Sequence, residues 1–225
     1  MTIVWHRRDL RTHDNRALAE AGSSAQPVFI FDPEWLRNDL VSDTRIEFVL
    51  ESLKDLNRQY VERGSNLALL HGEPVELLGE LSSEGENVYF NNDSNHFRQG
   101  MERRARRKFE GFDNSAVDTS GRDRSSWSDD ALKWFEDERL NAPESLDSNE
   151  IESRTTINHI RRKYEVKPDK KNFGKGGTRE ARRRLEEFLE QIDDYSGCIS
   201  SPSKAEASTS HLSPYIRYGC ISPRE

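Results

Sequence analysis

Four short apolar runs set the fold: Thr2–His6 (TIVWH), Pro27–Phe31 (PVFIF), Asn66–Leu70 (NLALL) and Asn87–Phe90 (NVYF). Each is too short for a buried helix and lacks a polar–apolar alternation, the pattern of strands covered on both faces. Helical periods lie between them. Thr44–Glu62 puts Ile46, Val49, Leu50, Leu53, Leu56 and Tyr60 on one side, with Asp43 or Ser42 able to cap its start. Further helices are expected at Asn15–Ala21 and Pro74–Leu81, then a basic one at Phe97–Glu110 and a fifth strand at Ser115–Asp118. Strands alternating with helices in this way fold as a doubly wound α/β domain, here a five-stranded parallel sheet with right-handed crossovers.

The alternation stops near residue 119. Ser120–Asp130 and Ala142–Glu152 are polar and carry no strand pattern, so residues 119–177 read as a linker with a short helix at Ala131–Arg139, anchored by Trp134 and Phe135. Lys167–Gly177 is a further loop. Thr178–Ile192 resumes a helical period with Ala181, Leu185, Phe188, Leu189 and Ile192 on one side, and Ser213–Pro223 opens another helical unit. Residues 178–225 hold too few apolar side chains to bury a core of their own, so they are expected to begin an all-α domain that continues past Glu225. The chain thus divides into an α/β domain at 1–118, a linker at 119–177 and an incomplete helical domain at 178–225.

Charge and cysteine usage narrow the classes. Lys+Arg 34 against Asp+Glu 41 gives a net charge of −7, which argues against a strongly basic nucleic-acid-binding domain. Most of the cations are arginine; few are lysine. That suits a salt-adapted cytoplasm, and it equally suits ordinary solvation. No run approaches the about 18 apolar residues of a membrane span, and Cys198 and Cys220 are too distant from each other to suggest a metal site or a disulfide framework. A cytoplasmic protein without metal is expected.

Chemistry concentrates where the first strand ends, in Trp5-His6-Arg7-Arg8-Asp9-Leu10-Arg11 followed by Asp14-Asn15. Open α/β sheets bind ligands at the carboxyl ends of their strands, so this cluster suits a charged ligand; alternatively Asp9 pairs with Arg7 or Arg11 and fixes the turn. No G-x-G-x-x-G or P-loop follows the strand, which argues against a dinucleotide or Walker-type site. Three basic clusters, Arg103–Lys108, Arg161–Lys163 and Arg182–Arg184, alternate with glutamates as solvated helix faces do, with phosphate contact as the alternative.

WHRRDLRTHDNRAL, with FIFDPEWL after the second strand and TSHLSPYIRYGCISPRE at the far end, resembles the DNA photolyase/cryptochrome family. ESRTTINHIRRKYEVKP and GGTREARRRLEEFLEQIDDY look most like its archaeal class I members from salt-adapted organisms. The resemblance implies the amino-terminal part of a deoxyribodipyrimidine photolyase, in which blue light drives electron transfer from reduced FAD to a cyclobutane pyrimidine dimer in UV-damaged DNA. The alternative is a non-catalytic cryptochrome-like light sensor or an isolated antenna domain. It further implies FAD contacts at Tyr195, Thr209, Ser210, Leu212 and Ser213, although Thr209 or Ser210 could instead cap the helix near Pro214. An antenna pigment, a deazaflavin or a folate, would meet Asp32, Arg45 and Asp93. Two departures stand out: His211 replaces the family's arginine, and Met101-Glu102 stands where an Arg-Asp pair is common. The reaction would depend on a carboxy-terminal helical half, and no catalytic residue falls in this chain.

Overall fold

The computed structural model describes residues 1–93, 99–114, 125, 127–169, 174–195 and 209–225, the side chains of Gln99, Asp194 and Tyr195 excepted. Strands β1 (Thr2–His6), β2 (Ala25–Phe31), β3 (Ala68–His71), β4 (Asn87–Asn91) and β5 (Glu110–Phe112) form one sheet in the order β3-β2-β1-β4-β5. All pairings are parallel, and Val4 of β1 stands opposite Pro27 of β2 and Tyr89 of β4. Helices α1 (Arg16–Ala21), α2 (Pro33–Leu36), α3 (Asp43–Val61), α4 (Pro74–Leu81) and α5 (Gln99–Arg106) make the crossovers. Among the described residues no helix is long and apolar enough to cross a membrane.

The strands are uninterrupted in hydrophobicity because both faces are covered. Val4, Phe29 and Phe31 face a core with Leu18 of α1 and with Ile46, Val49, Leu50 and Leu53 of α3. Ile3, Trp5, Val28, Ile30 and Phe90 face the opposite core with Val75 and Leu78 of α4 and Ala105 of α5. Asn15 caps α1 by accepting from the Leu18 amide at 3.2 Å.

Three expectations need correction. The basic helix ends at Arg106 rather than Glu110, and the fifth strand begins at Glu110; Ser115–Asp118 lies outside the described residues. The helix expected at Ala131–Arg139 runs over Trp127–Glu136 (α6), and Phe135 is exposed. The stretch read as linker also contains α7 (Ile157–Lys163), and it buries Leu146, Ile151, Ile160 and Val166 against the sheet domain. Its backbone is pinned to the turn before β2 and to β3, with Asp147 N donating to Ser23 O at 2.9 Å and Arg154 N to Leu69 O at 2.9 Å. These isolated apolar residues gave no period because the segment binds through backbone groups rather than a helical face.

Helix α8 (Thr178–Leu189) is followed by α9 (Ile192–Tyr195) and, further along the chain, by α10 (Ser213–Arg217). Of the expected apolar face of α8, Ala181 is buried and Leu185 partly so, while Leu189 and Ile192 are exposed. Two glycines permit close approach at this end. A Cβ on Gly177, whose φ is +108°, would lie 2.5 Å from Asp55 Cβ, the same carboxylate that accepts from the Thr178 amide at 2.9 Å. Gly219, with φ +65°, has its Cα so near the first loop that a Cβ would lie 2.2 Å from Arg8 O. Cys220 beside it is buried, and its thiol, pushed up to about 11 by that burial, donates to Ser52 Oγ at 3.3 Å. It is therefore a packing residue.

Gly219→Ala should combine left-handed strain with a backbone clash and lower stability by about 1–3 kcal/mol. Chemical denaturation measures this; an unchanged midpoint would show that residues 209–225 are not seated on the first loop.

Candidate functional site

Asp9 is buried at the carboxyl end of β1, and its two oxygens serve three segments of chain. Oδ1 accepts from the Arg7 amide at 2.7 Å, and Oδ2 accepts from Asn91 Nδ2 at 2.6 Å and Asn15 Nδ2 at 3.3 Å. Burial by itself would raise the carboxyl, but His6 and these amide donors outweigh it and hold it well below the usual carboxylate range. His6 Nδ1 donates to Asp9 O at 3.0 Å, and its Nε2 is hydrogen-bonded to the Tyr60 hydroxyl, which burial keeps protonated.

Neither Arg7 nor Arg11 pairs with Asp9 through its guanidinium, contrary to the expected ion pair. Arg7 turns to Glu102 of α5 and to Asn91 O, and lies over the rings of Trp5 and Phe90 at 4.7 and 4.8 Å from their centroids. Arg11 donates to Gly219 O at 3.1 Å and Asp14 O at 2.8 Å. Arg8 spans Arg217 O at 2.9 Å and Asp93 Oδ1 at 3.0 Å. Asp9 already has its donors from main-chain and amide groups, so the guanidiniums are free to reach other segments. Glu102 had read as one of the glutamates interleaved with a basic cluster; no local sequence signal marks it as the partner of Arg7.

Above this network a cavity of about 710 Å3 opens along the carboxyl edge of the sheet. Trp5, Phe29, Trp35, Val49, Met101 and Tyr218 supply its apolar lining. Two of the three expected antenna residues line it. Asp32 caps α2 by accepting from the Glu34 amide at 2.9 Å, and Arg45, exposed at the start of α3, donates to Leu40 O at 2.7 Å. Asp93 stands behind the wall, bound to Arg8. Trp35, Arg217 and Tyr218 complete the lining. Arg217 and Tyr218 follow closely on the residues expected to serve FAD.

Four of the expected FAD residues lie at the start of α10 or just before it, and none of them lines the cavity. Thr209 and Ser210 are partly buried, Leu212 is buried and Ser213 is exposed at the start of α10. Neither Thr209 nor Ser210 caps α10; Ser210 Oγ instead accepts from the Leu212 amide at 3.4 Å. Tyr195 ends α9, and its side chain lies outside the described residues. The basic clusters are exposed and partly paired, as in Arg104 with Glu73, Arg161 with Glu47 and Arg183 with Glu180 and Glu187.

A doubly wound parallel sheet with an aromatic-walled cavity at its carboxyl edge has the architecture in which open α/β sheets hold ligands. The family model for DNA photolyase matches residues 2–120, and the chain belongs to that family. It is 38% identical over 96 residues to a deoxyribodipyrimidine photo-lyase of Synechococcus sp., a match covering 40% of this chain and 20% of that protein. It is 41% identical over 91 residues to Cryptochrome-1 of Aedes aegypti, covering 36% and 17%. The fold matches an archaeal photolyase of Sulfolobus tokodaii, crystallised with two FAD molecules, with a TM-score of 0.76 at 24% identity; 99% of this chain covers 53% of that one. The chain thus spans about half of this solved relative, and its matches to these two curated relatives cover a fifth of them or less.

Asp9 makes the site sensitive to acid. Because its folded carboxyl is depressed, the stability it lends is complete above the ordinary value near 4 and is lost as pH falls below that. Asp9→Asn should cost about 1–3 kcal/mol at pH 7, and the gap from the parent should narrow at pH 3. Urea midpoints at the two pH values test this; a gap that stays constant would place the loss in packing alone.

Proposed function

We propose that this chain is the amino-terminal portion of a deoxyribodipyrimidine photolyase, with residues 1–118 holding an antenna chromophore and residues 178–225 beginning the FAD domain. The observation that carries the reading is the cavity at the carboxyl edge of β1 and β2, lined also by Arg217 and Tyr218 from the end of α10, just past the TSHLS segment. Its volume falls in the range of small-molecule sites, and an aromatic lining with a few polar groups suits a planar pigment. Asp32 and Arg45 offer one carboxylate and one guanidinium to such a ring, while Asp93 acts through Arg8.

Thr209, Ser210 and Ser213 cluster three hydroxyls beside the Leu212 amide, a donor set compatible with a nucleotide's phosphates and ribityl chain. Tyr195 joins them in this reading. His211 weakens the set, since a neutral imidazole cannot replace a guanidinium's bidentate donors. When bound, reduced FAD supplies the electron that splits a pyrimidine dimer under blue light. What this chain's residues do is hold pigment and cofactor at one end of the sheet domain, with Arg8 joining the two sites through Arg217 O.

The similarity to a cryptochrome supports a second reading, a light sensor without repair activity. Both readings place DNA repair outside the 225 residues acting alone. The purified chain is expected to carry no stoichiometric FAD and to leave dimers in irradiated DNA unrepaired under blue light; absorbance and a dimer-repair assay test this. Co-expression with a photolyase helical half should restore repair under the first reading and flavin binding alone under the second.

A further inference from the structure

The outer helix layer carries a charge pattern remote from the cavity's purpose. Helices α4 and α5 cover the sheet face opposite to the one packed against α3, with Val75, Leu78 and Ala105 turned inward. On their outer sides stand Glu76 and Glu80 of α4, Arg103 of α5, and Arg107 just beyond it, where Phe109 N continues the turn by donating to Ala105 O at 2.8 Å. All four are exposed. Among the described residues the side chains of Glu76, Arg103 and Arg107 enter no ion pair, and Glu80 has a loose one with exposed Arg154 at 3.6 Å. An acidic ridge thus lies beside a basic ridge. We propose that this face binds a second copy of the chain in a two-fold dimer, the acidic ridge of each copy on the basic ridge of the other.

The register of the two helices makes the face complementary to itself. Both run back from the carboxyl edge of a parallel sheet, so they point the same way. At the seam between them Arg104 pairs with Glu73 at 2.8 Å, and Lys108 Nζ lies 4.0 Å from where a Cβ on Gly79 would be. Those contacts set Arg103 level with the first turn of α4 and Arg107 with its second. A two-fold axis midway between the helices and parallel to them lays α4 of one copy over α5 of the other without reversing either. Glu76 and Glu80, one turn apart, then face Arg103 and Arg107, one turn apart, and the symmetry repeats the match.

A nucleic acid suits the face less well. Its phosphates would meet Arg103 and Arg107 with Glu76 and Glu80 alongside, on a chain of net charge −7. A second copy turns that mixture of signs from an obstacle into the source of register. Each exposed pair is worth a factor of about two to five in the association constant, so the dimer is weak and depends on salt.

Sedimentation equilibrium of the full chain, over a range of concentrations at low and high ionic strength, tests the proposal. A monomer–dimer equilibrium is expected at low salt, weakened about tenfold or more at high salt. Glu76→Lys with Glu80→Lys should give monomers, and so should Arg103→Glu with Arg107→Glu; none of these positions lines the cavity. Mixing the two variants should restore a dimer containing one of each, and a chain carrying all four changes should again pair with itself. Circular dichroism checks that every variant is folded. A parent chain that stays monomeric at low salt would overturn the proposal. So would a dimer that both charge reversals leave intact, or reversed variants that stay apart when mixed. Duplex DNA bound by a monomeric parent and lost on Arg103→Glu with Arg107→Glu would assign the basic ridge to phosphate and overturn it as well.

Discussion

A buried carboxylate organises the carboxyl edge of this sheet. Asp9 stays ionised only because the Arg7 amide, Asn91 and Asn15 all donate to it, so the ends of β1 and β4 and the start of α1 must be in place together. The two amides are themselves satisfied. Asn15 Oδ1 caps α1, while Asn91 Oδ1 accepts from the Ala17 amide at 3.1 Å, which closes a network with little tolerance for a missing member. The arrangement frees the neighbouring arginines for longer reach.

That reach ties the two ends of the chain together. Arg7, Arg8 and Arg11 each donate to a main-chain carbonyl of another segment, respectively Asn91 O, Arg217 O and Gly219 O. A guanidinium can serve a carbonyl and a carboxylate at once through a rigid fork, which a lysine ammonium does less well. A second knot lies at Asp14, buried with a positive φ of 46°, which accepts from Ser222 and is gripped by Arg224. Arg224 in turn lies over Trp134 at 4.8 Å, so α6 is fastened to the same point. The arginine cluster at the end of β1 therefore holds the chain together as much as it shapes a ligand site.

How much of this was legible depended on the range of each interaction. Strands β1 to β4 and the α3 stripe were readable because they follow local periodicity. β5 was misplaced because Glu110–Phe112 has one apolar side chain in three and is defined by pairing with Tyr89–Asn91 rather than by its own composition. Asp32 and Arg45 could be placed near the carboxyl edge by their positions after β2 and on α3, where both line the cavity. Glu102 and Tyr218 were missed as site residues because their partners lie far away in sequence: Glu102 pairs with Arg7, and the Tyr218 carbonyl accepts from the Leu10 amide at 3.1 Å. Residues 139–169 looked like a linker because backbone bonds to Ser23, Arg63 and Leu69 leave no imprint on side-chain pattern.

The cavity joins a stiff wall to a softer rim. On the inner side Arg7 is fixed by Glu102, by Asn91 O and by the rings of Trp5 and Phe90, and His6 is fixed by Tyr60 and Asp9. Those side chains have little rotamer freedom left to lose, so a ligand meeting them sacrifices little entropy in ordering the protein. The rim between α2 and α3 is different: Asn38 and Leu40 are exposed there, and Arg45, itself exposed, donates to a main-chain carbonyl of the same loop. The inner wall is thus held in place by contacts among the protein's own residues. At the rim, by contrast, a change of side chain would leave the Asp9 network beneath undisturbed.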